Sequence, residues 1–362
     1  MGLPYRCICF AIPSKMLRKL AEKTDDEGRR VLKANLDSAS RLRTQRAASS
    51  KQKKELPSKS APSEVARYKR SVFDVANGTD LPGRVLREEG QTPVGDLAAD
   101  HAYDNAGLAL NFYFQIFSRD SIDDRGALVE SAVHYGQNFG NALWTGERMV
   151  FGDGNQMVSG FTESIDLIAH ELTHGIIQHL VPGGLGAVRI PVKEREVEGQ
   201  THALKGQSGS LNESFADVMG CLVKQWHLKQ HVDEADWLIG DDVLAAKFGK
   251  AVRSLKDPGN RDLTWPEDDQ FKNMNQYFEG ADVHDGSGIP SHAFYLAAKG
   301  IGGSAWEKAG VIWYEAYASL KPRSKFSDAA KATLRVAKSK FGAKSKEFKA
   351  VAAAWREVNV ID

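Results

Sequence analysis

The sequence is poor in cysteine and has no long apolar run. Of its 362 residues only three are cysteine, namely Cys7, Cys9 and Cys221, and an odd number at this spacing excludes a disulfide framework. The longest apolar run near the N-terminus, residues 7–13, is too short for a signal-peptide core or a membrane span. We therefore expect no membrane partner, and a cytoplasmic location or export by a non-classical route.

The chain as a whole also lacks an excess of charge. Lys and Arg number 48 and Asp and Glu number 47, so the formal net charge is +1. Residues 1–62 carry fifteen basic against six acidic side chains, a net +9, which leaves −8 for residues 63–362. A step of this size marks a separable segment. Because aromatic residues are not interleaved with its basic residues, we expect no nucleic-acid partner.

Apolar periodicity gives the order of the elements. Residues 15–46 have leucines and charges at helical spacing, which predicts one or two short basic helices, and residues 47–63 have the composition of a linker. Alternation at residues 71–75 and 148–152 predicts strands, whereas the pattern from about residue 164 onward is helical. This order indicates an α+β fold with a strand-rich first half and a helical second half.

The segment His170-Glu171-Leu172-Thr173-His174 is an H-E-x-x-H pattern within a predicted helix at residues 164–178. Positions four residues apart lie one turn apart on one helix face, so both imidazoles can reach a single ion. Zn²⁺ accepts two histidine nitrogens and leaves the adjacent Glu171 free to act as a base. The alternative is an exposed, charged helical turn without a metal.

A catalytic zinc needs a third protein ligand, and Glu213 is the candidate. Asp217 follows Glu213 by four residues on the same helix face, where it can accept a hydrogen bond from a ligating imidazole. The alternative for this segment is an amphipathic helix start, with Asn212 as the N-cap and acidic residues that favour the helix dipole.

With these motifs the sequence resembles the thermolysin-like zinc metalloendopeptidases of peptidase family M4, and more closely their protealysin-like branch with a short propeptide. The resemblance runs from about Ser71 to the C-terminus. It implies two lobes, one rich in strands and one helical, with zinc in the cleft between them. It also implies hydrolysis of internal peptide bonds and, as an alternative to the location above, secretion. The motifs in family order are Val133–Gly136, Asn141–Trp144, Met149–Gly154, Asp166–Gly175, Asn212–Asp217, Asp236–Gly240 and Ser287–Pro290.

The resemblance assigns the zinc site residue by residue. His170, His174 and Glu213 match the zinc ligands. Glu171 matches the general base that acts on a zinc-activated water, and Asp217 matches the partner of His170.

The resemblance also assigns the residues around the peptide. Asn141 and Ala142 match the edge segment that binds a substrate backbone as an added strand. Arg253 matches the arginine that holds a peptide carbonyl and supports the ligand Glu. His284 matches the donor to the oxyanion of the tetrahedral intermediate, and Glu279 the acid that orients it.

The sequence departs from the family pattern around the second ligand helix. Between His174 and Glu213 lie 38 residues, about twice the family's usual gap, and the excess falls near residues 181–202. This insertion is either a rim of the cleft or a tolerated surface loop. Leu204 stands where the family has a tyrosine that is a second oxyanion donor, so we expect a slower enzyme. Gly286 replaces an Asn that usually follows the oxyanion histidine.

The family's double calcium site is also altered. Asp166, Asp236 and Asp241 keep three acidic positions, but Lys224 and Leu238 stand where well-known members have carboxylates. An ammonium group among carboxylates neutralises the charge that Ca²⁺ otherwise balances, so calcium is not expected there.

The N-terminal segment from Cys9 to Leu17 resembles the short Pro-containing motif of protealysin-like precursors. This implies a propeptide of about 60 residues that covers the cleft and is removed by cutting in the linker, where small polar residues favour proteolysis. A Cys9 thiolate is a candidate to block the open zinc position. The alternative is that Cys9 packs as a small apolar residue.

We therefore expect three parts: propeptide and linker at 1–62, the strand-rich lobe with the H-E-x-x-H helix at 63–178, and the helical lobe at 179–362. The expected cofactor is one zinc ion, and the expected partners are peptide or protein substrates and the chain's own propeptide, with the protein itself a monomer. The alternative from another class is a weakly active or inactive relative that keeps zinc and the groove as a peptide-binding module.

Overall fold

The computed structural model of the chain describes residues 9–31, 33–36, 68–181, 183–186 and 206–362. Its first half contains a six-stranded sheet with strand order β1-β5-β6-β4-β2-β3, and its second half is mainly helical. This confirms the predicted division. The strands of the sheet are β1 Cys9–Phe10, β2 Lys69–Asp74, β3 Arg84–Glu88, β4 Leu128–Val133, β5 Ala142–Trp144 and β6 Met149–Phe151.

The helices surround a continuous apolar core that reaches from the sheet into the second half. Within the described residues the long helices are α1 Ser14–Glu22, α2 Leu97–Phe117, α3 Ile165–Leu180, α4 Gly206–Leu228, α5 Val283–Ile301, α6 Ala309–Ala318, α7 Phe326–Phe341 and α8 Lys346–Glu357. A two-stranded sheet joins β7 Leu238–Ile239 to β8 Arg253–Ser254. No helix in the described ranges is long and apolar enough to cross a membrane.

The sheet is mixed, and its edge nearest the second half consists of short antiparallel strands. β4 pairs parallel with β2 and β6, whereas β5 pairs antiparallel with β6. β1, from the N-terminal segment, pairs antiparallel with the outer side of β5. The strand that the sequence analysis assigns to peptide binding is thus covered by the chain's own N-terminal segment.

Two glycines allow α3 to lie close to its neighbours. A Cβ added to Gly175 would lie 2.9 Å from the Trp144 ring of β5. A Cβ added to Gly220 of α4 would lie 2.5 Å from the carbonyl oxygen of Asp166 in α3. Because no side chain intervenes, α3 packs closely against both the edge strand and α4.

The boundaries differ in detail from the sequence-based expectations. α3 ends at Leu180 rather than at residue 178. The helical pattern that continues toward the C-terminus is interrupted at Gly342, where φ is +91°, between α7 and α8. α4 begins at Gly206, so Asn212 lies inside the helix and is not its N-cap. Most of the insertion near 181–202 and the linker at 47–63 lie outside the described residues.

Candidate metal centre

Helices α3 and α4 bring three ligand side chains together. His170 and His174 lie one turn apart on α3, Glu213 lies on α4, and their ligand atoms are all within 4.8 Å of one another. The two Nε2 atoms are 3.1 Å apart, and the Glu213 Oε2 atom is 3.6 Å from Nε2 of His170 and 3.8 Å from Nε2 of His174. All three side chains are buried.

Hydrogen-bond partners behind the imidazoles select their tautomers. Nδ1 of His170 lies 2.8 Å from Asp217 Oδ1, and Nδ1 of His174 lies 2.8 Å from Asn212 Oδ1. Because Nδ1 then carries the hydrogen in each ring, both Nε2 lone pairs face Glu213. The predicted position of Asp217 beside His170 agrees with this contact. The contact between Asn212 and His174 is not predicted from the sequence.

The donor set and its spacing fit zinc. Ligand atoms about 2.0–2.2 Å from a tetrahedral zinc are separated from one another by about 3.3–3.6 Å. The observed separations, from 3.1 to 3.8 Å, bracket this value. Two neutral imidazoles and one carboxylate form the His₂Glu set of catalytic zinc sites that leave one position open.

Glu171 is buried in α3 directly after the first histidine. Burial raises the pKa of its carboxyl group well above the usual value, and the charge of Glu213 raises it further. The backbone N–H of Trp144 and the guanidinium group of Arg253 oppose this rise. A carboxyl group with a raised pKa is well suited to accept and release a proton near neutral pH.

His284 lies in the first turn of α5, where its Nε2 atom is 3.4 Å from Glu213 Oε2. Its Nδ1 atom is 2.8 Å from Asp282 Oδ1. Burial alone lowers the pKa of His284, but the carboxylates of Glu213 and Asp282 outweigh it and raise the pKa to about 9. The ring therefore carries N–H groups on both nitrogens at neutral pH.

The expectation that Glu279 orients His284 is wrong. Glu279 is exposed in the preceding turn, whereas Asp282 is the N-cap of α5 and its carboxylate accepts from the backbone N–H of His284 at 2.9 Å. An N-cap two residues before a histidine can reach both the backbone and the ring, which is why Asp282 takes this place. The pattern Asp-x-His at a predicted helix start is the signal that identifies it.

Arg253 connects the metal centre to the peptide groove. Its guanidinium group donates from Nε to Asp217 Oδ2 at 2.7 Å and from Nη2 to Asp217 Oδ1 at 2.8 Å. Burial alone raises the pKa of Asp217, but Arg253 and His170 outweigh it and hold that pKa far below its usual value. The remaining donor of Arg253, Nη1, binds the carbonyl oxygen of Ala11 at 2.8 Å.

Asn141 and Ala142 hold the N-terminal segment as an added strand. The Ala11 N–H donates to the carbonyl oxygen of Ala142 at 2.9 Å. The Ile12 N–H donates to Asn141 Oδ1, and Asn141 Nδ2 donates to the Ile12 carbonyl oxygen, both at 2.9 Å. Both N–H groups and both carbonyl oxygens of Ala11 and Ile12 therefore have hydrogen-bond partners in the groove.

Comparison with known proteins identifies the family. Sequence models of the thermolysin metallopeptidase match the chain twice, as the catalytic domain over residues 33–178 and as the alpha-helical domain over residues 202–360. The chain is 39% identical over 318 residues to an extracellular metalloprotease of Pectobacterium carotovorum subsp. carotovorum, covering 86% of this chain and 84% of that protein. The chain belongs to the thermolysin metallopeptidase family.

Two further relatives indicate the branch of the family to which the chain is similar. Protease PrtS of a Photorhabdus strain is 40% identical over 303 residues, covering 80% of this chain and 76% of that protein. The solved precursor of protealysin, a metalloproteinase from Serratia proteamaculans, matches with a TM-score of 0.80 and 36% identity, covering 98% of this chain and 100% of that one. The chain is thus a protealysin-like zinc metalloendopeptidase with the thermolysin-like fold.

At the position of the thermolysin family's double calcium site, Lys224 contacts three carboxylates. Its Nζ atom is 2.6 Å from Asp241 Oδ1, 2.9 Å from Asp236 Oδ2 and 3.6 Å from Asp166 Oδ2. Burial alone lowers the pKa of Lys224, but these carboxylates outweigh it and raise the pKa far above its usual value. The ammonium group is therefore charged and balances the acidic cluster.

Gly286, which departs from the thermolysin-like pattern, packs against α4. A Cβ added at Gly286 would lie 2.4 Å from Ser210 Oγ, so the Ser210 side chain fills the space. Leu204 and the side chain of Cys9 lie outside the described residues, so their roles stay predictions.

Proposed function

We propose that this metalloendopeptidase is made as a latent precursor, with His170, His174 and Glu213 as zinc ligands, Glu171 as general base and the segment at residues 9–36 as the inhibitory part. The observation that carries the proposal is the convergence of three buried ligand atoms beside a groove that the chain's own backbone fills.

The proton transfers are assigned to Glu171. A zinc ion held by the three ligands supplies the Lewis acidity that polarises a peptide carbonyl and acidifies a water molecule. Glu171 would take a proton from the attacking water and later deliver it to the leaving nitrogen, and burial and the charge of Glu213 raise the pKa of its carboxyl group, which favours proton uptake.

His284 and Arg253 are the two side chains that we assign to the carbonyl groups of the substrate. The Nε2–H group of His284 donates to the carbonyl oxygen as negative charge develops on it, an interaction that is stronger in the transition state than in the ground state. Arg253 holds a substrate carbonyl, as it holds that of Ala11, while its contacts with Asp217 fix the His170 ring behind the metal.

Latency follows from occupancy of the groove. Ala11 and Ile12 use the donors and acceptors of Asn141, Ala142 and Arg253 that a substrate backbone would use. A substrate cannot bind until this segment leaves, and cutting in the linker at residues 47–63 converts it into a separate chain that can dissociate. The three-part division at 62 and 178 and a monomeric state are further parts of this proposal.

Absence of calcium at the double site is also part of the proposal. Lys224 already supplies a positive charge within hydrogen-bond distance of Asp236 and Asp241. A cation of charge +2 beside this ammonium group would be repelled, so the site has no need for Ca²⁺.

The test begins with the full-length chain folded with zinc. Hydrolysis of an internally quenched peptide is measured before and after a cut in the linker at residues 47–63, with and without a zinc chelator. Cleavage that appears only after the cut and disappears with the chelator supports the proposal.

Two Glu→Gln variants complete this test. Glu171→Gln should lower the rate by about 10³-fold or more while the protein retains zinc. The matched variant Glu163→Gln, at an exposed position of the same region, should keep full activity. Retention of zinc and peptide binding without any cleavage by the cut wild-type protein would favour a binding module instead.

A further inference from the structure

Three carboxylates at one end of the groove face the N-terminal segment. We name Glu267, Asp269 and Asp285 the acidic corner. Lys15 Nζ is 2.7 Å from Asp269 and 2.8 Å from Asp285. Directly after α1, Lys23 Nζ is 2.8 Å from Glu267. The acidic corner therefore holds cationic side chains supplied by the chain itself.

A cavity beside the acidic corner connects it to the catalytic residues. Lys15, His284 and Asp285 line this cavity together with Trp265 and Gln270. Gln270 is 4% exposed, and its Nε2 atom donates to the carbonyl oxygen of His284 at 3.0 Å. Its buried Oε1 atom has no hydrogen-bond partner among the described residues, and Gln270 is one of the residues that line the cavity.

An aromatic ring adds to the attraction for cations. Lys19 Nζ lies 5.8 Å from the ring centroid of Trp265 and 3.5 Å from Glu267 Oε2. Carboxylates, an indole face and a buried amide oxygen all interact favourably with an ammonium or guanidinium group. These contacts come from different elements and point to the same ligand chemistry.

Removal of the N-terminal segment leaves the acidic corner without its counter-charges. Burial raises the pKa of Asp285 to about 6, and Lys15 is the cation that opposes this rise, while Asp282 and Asp269 add to it. Without Lys15 and Lys23, the three carboxylates repel one another, which favours any new cation that binds there.

The direction of the bound segment places the acidic corner relative to the peptide. Ala11 and Ile12 lie in the groove, antiparallel to β5, and Lys15 follows Ile12 by three residues. A substrate that pairs with β5 in the same direction thus carries its C-terminal side toward the acidic corner. We propose that the acidic corner of the mature protease is a specificity site for a Lys or Arg side chain, on the C-terminal side of the substrate residues held by Arg253 and Asn141.

This inference rests on the proposed function, and its test separates the two. The full-length chain is folded with zinc and cut in the linker, and the N-terminal segment is then removed. Internally quenched peptides that differ only by Lys, Gln or Glu at each of the first five positions after the cut bond are compared by kcat/KM, with the cut bond checked by mass spectrometry.

At one or more of these positions we expect Lys to exceed Gln by about three- to tenfold at low salt, and Glu to fall below Gln. The preference should shrink in 0.5 M salt because the charges lie near the surface. Equal rates for the three peptides at every position would overturn the inference, and the rate on the Gln peptides would still report the proposed function. If no peptide were cut, both would fail.

Two variants locate the preference. The double variant Glu267→Gln, Asp269→Asn should lose most of the advantage of Lys and keep its rate on the Gln peptides. The matched control Asp262→Asn removes an exposed carboxylate of the same region and should keep the full preference. A preference for Lys that survives the double variant would show that another surface is responsible and would overturn the assignment.

Discussion

Asp282 binds His284 twice, through its backbone N–H and through its ring. Both contacts end on Oδ1, at 2.9 Å from the backbone nitrogen and 2.8 Å from Nδ1. The ring is therefore held in one orientation, with Nε2 as the nitrogen that faces Glu213 and the groove. A donor that is already oriented loses little freedom when charge develops on the substrate oxygen.

The first prediction compares Asp282→Asn with Glu279→Gln in the mature enzyme. The Asn variant keeps a side chain that can cap α5 but removes the charge beside the imidazole, so kcat/KM on a neutral peptide should fall by about tenfold or more. The exposed Glu279→Gln variant should stay within about twofold of wild type. Equal losses in both variants, or a loss only with Glu279→Gln, would restore the sequence-based assignment.

Lys224 neutralises a cluster of three carboxylates. It is the counter-charge of Asp166, which is 2% exposed at its side chain, and of the more exposed Asp236 and Asp241. Burial raises the pKa of Asp166 to about 6 even with Lys224 opposing the rise, so loss of this lysine leaves a poorly solvated acid without compensation.

Lys224→Met should therefore destabilise the fold by about 3 kcal/mol, which lowers Tm by about 5–10 °C. Added CaCl₂ should restore part of this loss in the variant, because the carboxylates are then free, and should leave wild type unchanged. Thermal unfolding of both proteins with and without calcium provides the measurement, with Lys256→Met as an exposed control. Equal stabilisation of wild type by calcium would contradict the role given to Lys224.

The chemistry of the metal centre could be predicted from the sequence because the relevant spacings are local. Two histidines four residues apart on a helix must share a face, and Asp217 follows Glu213 at the same spacing. Asn212 and Asp282 could not be assigned in this way. Their roles depend on where α4 and α5 begin, and helix ends are poorly fixed by periodicity.

The helix α1 makes two kinds of contact, through an apolar face and an adjacent basic face. Met16, Leu17 and Leu20 are buried against the body of the protein. Lys15 and Lys19 lie one turn apart, with Lys23 following at the same spacing just after the last turn, and all three reach the acidic corner. The apolar face supplies affinity, and the lysines supply orientation and a dependence on salt.

The third prediction concerns the N-terminal segment added back to the mature enzyme. Replacing Lys15, Lys19 and Lys23 together by Gln should weaken inhibition by about tenfold at low salt, because all three lysines lose their partly exposed ion pairs with the acidic corner. Arg18→Gln, at an exposed position of the same helix, should have no such effect. Inhibition constants measured at 0.05 and 0.5 M salt should converge for wild type and the triple variant, and a constant difference between them would contradict the electrostatic account.

His134 connects three elements of the strand-rich lobe. Its Nε2 atom is 2.9 Å from Asp96 Oδ2, which belongs to the N-cap of α2, and its Nδ1 atom is 2.7 Å from Asp153 Oδ1, two residues after β6. Burial alone lowers the pKa of His134, but the two carboxylates outweigh it and raise the pKa above 6.5. The protonated ring therefore stabilises the folded state.

The pH dependence of this contribution has a definite sign. It is fully present below the unfolded-state pKa of about 6.5 and is lost as pH rises through the higher folded-state value. The variant His134→Asn, which tolerates the local φ of +55°, should lower Tm by about 1–3 °C near pH 5.5 and by less near pH 9. A Tm difference that does not change with pH would show that packing rather than charge is responsible.

The longer helices and strands can be predicted from the periodicity of apolar residues, whereas the strands that form the peptide groove cannot. β2 and β6 lie where the sequence pattern predicts strands, and α3 lies where it predicts a helix. β1 and β5 have only two and three residues, too few for a period to be read, and their pairing joins parts of the chain more than 130 residues apart. Such pairing depends on tertiary contacts, and a resemblance to known proteases supplied the assignment of Asn141 and Ala142.

At the scale of the molecule, the two charged parts of the chain complement each other. The N-terminal 62 residues carry +9 and the remainder −8. Part of this opposition is visible as the contacts of α1 with the acidic corner. The near-neutral precursor would thus separate into a basic and an acidic product, which ion-exchange chromatography would resolve after linker cleavage.

Release of β1 also affects how fast a solution of precursor molecules is activated. Once β1 leaves, the outer side of β5 has unpaired backbone groups that accept any extended chain. If the mature enzyme cuts the linker of a second precursor at this edge, each activated molecule would activate others. Conversion would then begin with a lag, accelerate as product accumulates, and proceed faster in concentrated than in dilute solution.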